Sequence, residues 1–223
     1  MIVDLLAPIL MASVLGLLVW LTASRWALHL MPSAIAVYGS RHACPSMCWA
    51  AWWFVLWFGA SVVGLMVLFA GHFLILTIWM AWLAILGLLG LIDARTGLLP
   101  NELTLLLMLS GLVWRAGMMG SWLPPEQYAW GMLLGWALPF ALNVLHERLR
   151  GTLAIGEGDA KLLAGIGAWL GAHDLALVWI VAGVAVLVYT VLVKVFGVIR
   201  RPYVTFGPFL AMGASVAMLL NHV

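Results

Sequence analysis

Eight apolar runs follow one another along the chain, separated by short polar breaks. They fall at Leu5–Ser24, Ala50–Ala70, His72–Ile92, Leu103–Met119, Tyr128–Leu145, Ala160–Ala172, Leu175–Val193 and Thr205–Leu220. An α-helix rises roughly 1.5 Å per residue, so about 20 apolar residues cross a hydrocarbon core of about 30 Å. The pattern therefore predicts an all-α bundle of eight membrane-spanning helices. Two of the breaks, Gly71-His72 and His173-Asp174, are only two residues long. Ala160–Ala172 is too short to span the core by itself, so either that helix starts inside the membrane or the bilayer thins there.

The basic residues orient these spans. Arg25, Arg41, Arg95, Arg148, Arg150, Lys161, Lys194, Arg200 and Arg201 all fall on one side of the bilayer, which the positive-inside rule makes cytoplasmic. The exception is Arg115, expected to snorkel toward the outer end of the fourth span. Both termini then face the periplasm. The first span carries Asp4 ahead of its apolar run and Arg25 behind it, the reverse of a cleaved signal peptide. The chain is 66% hydrophobic and 8% charged, against about 25% charged residues in a soluble domain. A net charge of +2 gives no basic surface for nucleic acid. Membrane lipids are the expected surroundings.

Five of the eight acidic residues, Asp93, Glu102, Glu147, Glu157 and Asp159, map to the cytoplasmic side. Two of them stand where an apolar helix meets a loop. Asp93 lies in "LIDARTGLLPNELTL" and Asp159 in "GEGDAKLLAGIGAWLG". An ionisable residue at membrane depth is a functional candidate by default. The plain alternative for Asp159 is a helix N-cap. Gly156 and Gly158 allow close backbone approach. Ala160, Ala164 and Ala168, with Gly167 and Gly171 beside them, form a small-residue stripe suited to tight helix packing. That stripe is expected to bring the sixth span against the third, and Asp159 toward Asp93. Two neighbouring carboxyls do not readily both ionise. One can then take a proton from an attacking water while the other donates to the substrate. The sequence does not say which is the base. Lys161 is expected to reach the headgroups and Glu157 to solvate the loop.

"GEGDAKLLAGIGAWLG" resembles the GxGD signature of bacterial type IV prepilin peptidases, G-x-G-D-x-K-L-x-A-x-x-G-x-x-x-G. "LIDARTGLLPNELTL" is similar to the other catalytic segment of that family, with Pro100 seven residues after Asp93 and Asn101 where an acidic residue is frequent. "VTFGPFLAMGA" is similar to its late P-F-G-P-x-L segment, with Thr205 in place of the first proline. The resemblance runs from about Ile85 to the C-terminus. It implies an inner-membrane aspartic endopeptidase, with Asp93 and Asp159 as the catalytic pair. Gly156, Gly158, Pro100 and Lys161 would support the site. Its substrate would be a prepilin or a type II secretion pseudopilin, cut at the cytoplasmic face to remove a basic leader. Proteolysis of this kind needs no cofactor.

On this reading residues 72–223 form the peptidase domain, and residues 1–71 a two-span region around a short cytoplasmic loop (25–48). Larger members of the family carry two C-x-x-C pairs in that loop, suited to zinc, and methylate the new N-terminus. This chain has only "CPSMC", Cys44 and Cys48, with C-x3-C spacing. Zinc is not expected without help from His29, His42 or another chain. S-adenosylmethionine is implied only if methylation is retained, and the degenerate loop argues against it. Two other classes fit some of the features. A proton- or cation-coupled transporter would use the aspartates as ion ligands near the bilayer midplane. A pilus or secretion assembly subunit would need no catalysis.

Overall fold

A computed structural model describes residues 21–22, 25–26, 28–29, 32, 57, 59–65, 67, 73–117, 124–152, 155–196 and 204–221. Six helices are bounded among them: α1 (Phe73–Thr96), α2 (Asn101–Gly117), α3 (Pro125–Arg150), α4 (Glu157–Leu170), α5 (Ala172–Phe196) and α6 (Gly207–Asn221). Further helical positions occur between 57 and 67. The described residues contain no strand. The first expected span and most of the second lie outside the described residues, as do Cys44 and Cys48. The last six spans each correspond to one helix. The helices α1, α3 and α5 are long and apolar enough to cross a membrane.

The surface of α5 shows what surrounds the bundle. Ile180, Val184, Leu187, Val188, Val191 and Leu192 are all exposed on it. In water such a continuous apolar face would be a severe liability; in lipid it is simply solvated. Hydrophobic burial cannot drive helix association there, so close packing must hold the bundle together.

That packing centres on α4. Ala160 and every residue from Leu162 to Leu170 are buried. Contrary to the expectation, the small residues of α4 do not pack it alongside α1. They bring it against α3 and α2. Gly131 of α3 and Gly167 of α4 face each other backbone to backbone, and a Cβ on either would strike the other's carbonyl. A Cβ on Gly135 would lie 2.6 Å from the Leu163 carbonyl oxygen, and one on Gly165 would lie 2.7 Å from a Leu107 methyl. Glycine spacing on α3 answers that on α4, so the stripe's partner is another small-residue helix. Gly131→Leu is expected to lower the melting temperature of the detergent-solubilised protein, with a cost of about 1–3 kcal/mol or more because backbone rather than side chain must move.

The C-terminal end of α4 explains how fourteen residues suffice. Helix ends leave carbonyls unpaired, which lipid cannot satisfy. Arg115 of α2 donates from Nε to the Trp169 carbonyl at 2.9 Å. Trp169 answers from its indole Nε1 to the Leu107 carbonyl at 2.9 Å. Gly111 opens the space for that indole, since a Cβ there would meet its ring. Arg115 therefore does not snorkel: it is buried, against the rings of Tyr128 and Trp79. Asp174, which the sequence places in the polar break between two spans, is also buried, and accepts from Asn221 Nδ2 at 2.7 Å. A helix whose end is capped by its neighbours does not have to reach water.

Candidate active site

Asp93 lies inside α1 rather than after it. The helix runs one turn further than its apolar pattern and stops at Gly97, whose φ of 68° is left-handed and suits glycine. The Gly97 amide donates to the Asp93 carbonyl at 2.7 Å and closes that last turn. Thr96 adds a side-chain bond from Oγ1 to the Ile92 carbonyl, 2.9 Å. The turn from Leu91 to Thr96 is buried throughout, including Arg95, which its position in the sequence had suggested for the cytoplasmic loop.

The Asp93 side chain meets the start of α6. Its Oδ2 accepts the Gly207 amide at 2.9 Å. Gly207 is the first residue of that helix, where unpaired N–H groups and the helix dipole favour an anion. A Cβ on Gly207 would stand 2.6 Å from Asp93 Oδ2. Sequence reasoning picked out the "FGPFL" segment but missed this contact. The available signal was a glycine at a helix start within a matched segment.

Asp159 is the third residue of α4, after Gly156 in the N-cap position. It is therefore not the cap, and no side chain caps this helix. Its carboxyl turns back over Gly156, where a Cβ would lie 3.2 Å from Oδ2. It is partly buried, whereas Glu157 is exposed. The two aspartates, from helices far apart in sequence, come close enough for their carboxyls to interact electrostatically.

The turn between α1 and α2 completes the surroundings. Gly158 packs on Leu99, where a Cβ would come within 3.1 Å of the side chain. Pro100 is buried directly before α2, and its carbonyl accepts the Thr104 amide at 3.2 Å. Lys161 is half-buried and donates from Nζ to Asn101 Oδ1 at 2.9 Å. It bridges α4 to α2 instead of extending to the headgroups. Asp93, Asp159, Gly156, Gly158, Pro100 and Lys161 thus gather at one end of the bundle. Among the described residues no group of three or more His, Cys, Asp and Glu is placed to hold a metal.

Several known proteins resemble this chain. It is 34% identical over 131 residues to a prepilin leader peptidase/N-methyltransferase of Dickeya chrysanthemi, covering 58% of this chain and 46% of the relative. It is 35% identical over 131 residues to the protein of that name in Burkholderia pseudomallei strain K96243, with 58% and 42% covered. For Neisseria gonorrhoeae the match is 30% over 130 residues, with 58% and 44% covered. The matched region spans less than half the length of each of these relatives. No solved structure matches the chain. The family model for the Type IV leader peptidase family matches residues 78–191, just over half of the chain and including both aspartates, and the chain belongs to that family.

Proposed function

We propose that this chain is a membrane-embedded aspartic endopeptidase that removes the basic leader from type IV prepilins or type II secretion pseudopilins. The observation that carries the reading is the convergence of Asp93 and Asp159 at one end of the bundle. One carboxylate takes a proton from water as it attacks the scissile carbonyl. The protonated partner donates to the carbonyl oxygen or the leaving nitrogen. The Gly207 amide holds Asp93 in place throughout. The pair sits at the ends of α1 and α4 rather than at mid-helix, which favours proteolysis of a leader at the membrane surface over ion transport.

In the bilayer the substrate's apolar helix lies beside the bundle, and its polar leader stays in the cytoplasm. The positive-inside distribution supports that orientation, with eight spans, both termini in the periplasm and residues 72–223 as the peptidase domain. The chain lies in the bacterial inner membrane. Proteolysis draws on no cofactor. The proposal does not extend to N-methyl transfer, because the C-x3-C pair Cys44 and Cys48 lacks the second cysteine pair of the larger relatives.

The test is co-expression with each prepilin and pseudopilin of the same genome, followed by N-terminal sequencing of the pilin. The expected result is a new N-terminus behind the basic leader. Intact leaders on every candidate would overturn the reading. Mass spectrometry of the same product reads methylation directly: the added mass of one methyl group that depends on this chain would extend the activity to methyl transfer.

A further inference from the structure

Asn143 is an uncommon residue for an apolar helix, and it is half-buried. Its Nδ2 donates to the Ile155 carbonyl at 2.8 Å, and its Oδ1 accepts the Ile155 amide at 2.8 Å. One amide side chain thus satisfies both backbone groups of one residue, as a neighbouring β-strand would. Ile155 directly precedes Gly156, the N-cap of α4, and Asp159 follows three residues later.

One further side-chain link lies beside it on α3, next to the backbone bond that closes the helix. His146 Nδ1 pairs with the Thr152 carbonyl at 2.6 Å. The Gly151 amide donates to the Glu147 carbonyl at 2.8 Å, with Gly151 in the left-handed conformation at a φ of 69°. Positions 143 and 146 follow the i, i+3 spacing of one helix face. They meet 155 and 152 in mirrored order. Thr152 and Ile155 are therefore each held to the end of α3, and Asn143 makes the link nearest to α4.

This matters because α4 has no side-chain cap of its own. The bond local to Gly156 runs from its amide to the Asp159 carboxyl, the very group whose placement has to be fixed from outside. We propose that Asn143 is a positioning residue that fixes the start of α4, and through it the placement of Asp159 against Asp93. It acts through the backbone at Ile155. The inference rests on the aspartate-pair reading above.

Asn143→Leu removes both bonds at similar size. The expected result is a fall in kcat of about tenfold to a hundredfold with KM unchanged, the size expected when a reacting group is displaced by about 1 Å. The melting temperature locates any general loss of folding, and kcat is taken per folded molecule. Hydrogen exchange followed by mass spectrometry supplies a readout without substrate: exchange at residues 152–159 is expected to accelerate, with the α1 and α6 peptides unchanged. If Asn143→Leu does not accumulate, Asn143→Asp keeps the acceptor for the Ile155 amide, loses the donor to its carbonyl, and meets the same criteria. Wild-type kcat, or unaltered exchange at 152–159, overturns the role of Asn143. Asp159→Asn run in parallel separates the two ideas: if that variant still cleaves, the aspartate pair itself fails, whatever Asn143 does.

Discussion

Asp93→Asn and Asp159→Asn are each expected to reduce leader cleavage by about a thousandfold or more, while the protein still inserts and melts near the wild-type temperature. Asparagine matches aspartate in size but neither accepts a proton from water at neutral pH nor donates one as an acid. Positioned acid or base groups contribute about 10²–10⁴-fold each. Residues that act as a unit are not additive, so the double variant is expected to be no slower than the slower single one. In Asp93→Asn the introduced side-chain carbonyl oxygen would still accept the Gly207 amide, so the end of α6 keeps its contact and the fold is spared. The measurement is single-turnover cleavage of a prepilin in detergent or nanodiscs. Either variant cleaving at the wild-type rate removes that residue from the chemistry.

Gly207→Ala is the second large effect, and it involves no titrating group. A methyl at Gly207 would stand 2.6 Å from Asp93 Oδ2 and 3.0 Å from its Cβ and Cγ. Asp93 lies in a turn that is buried from Leu91 to Thr96, so its carboxyl has little room to retreat. Either the start of α6 shifts or the Asp93 side chain leaves its rotamer, and in both cases the 2.9 Å bond from the Gly207 amide is lost or bent. The expected outcome is a fall in kcat of about a hundredfold from misplacement of the carboxylate. A Gly213→Ala control on the same helix separates this from general damage to α6. A Cβ there would meet the Val178 backbone, far from the aspartates in sequence, so it is expected to cost stability without a matching loss of kcat per folded molecule. Equal kcat losses in both variants would show that Gly207 matters only for folding.

Much of the candidate site was legible in the one-dimensional pattern. An aspartate at the end of each of two apolar runs is conspicuous when only 8% of residues are charged. The glycines around Asp159 and the length deficit of its helix pointed to the same place. The pattern located the last six helices but ended α1 before Asp93, because apolar periodicity stops where the first polar side chain appears. The backbone follows its own hydrogen bonds to Gly97 instead. Arg115 and Asp174 were misread for a related reason. A charge at the end of an apolar run looks solvated when the run is considered alone, yet each is enclosed by partners from other helices.

The sequence by itself determined the class of molecule and set an expectation for its direction in the membrane. It also marked the two aspartates. These follow from composition, span length and charge order, which are local or additive properties. Only the tertiary structure decided which helices touch. The small residues of α4 would fit against any close neighbour. Gly131 and Gly135 on α3 and Leu107 on α2 settle the choice, because helix packing in lipid depends on surfaces that fit in three dimensions. The bond from Gly207 to Asp93 and the two bonds from Asn143 to Ile155 join residues whose separation in the chain carries no periodic signal. Such contacts exist only once the helices have packed, and they set the positions of the carboxyls on which the proposed chemistry depends.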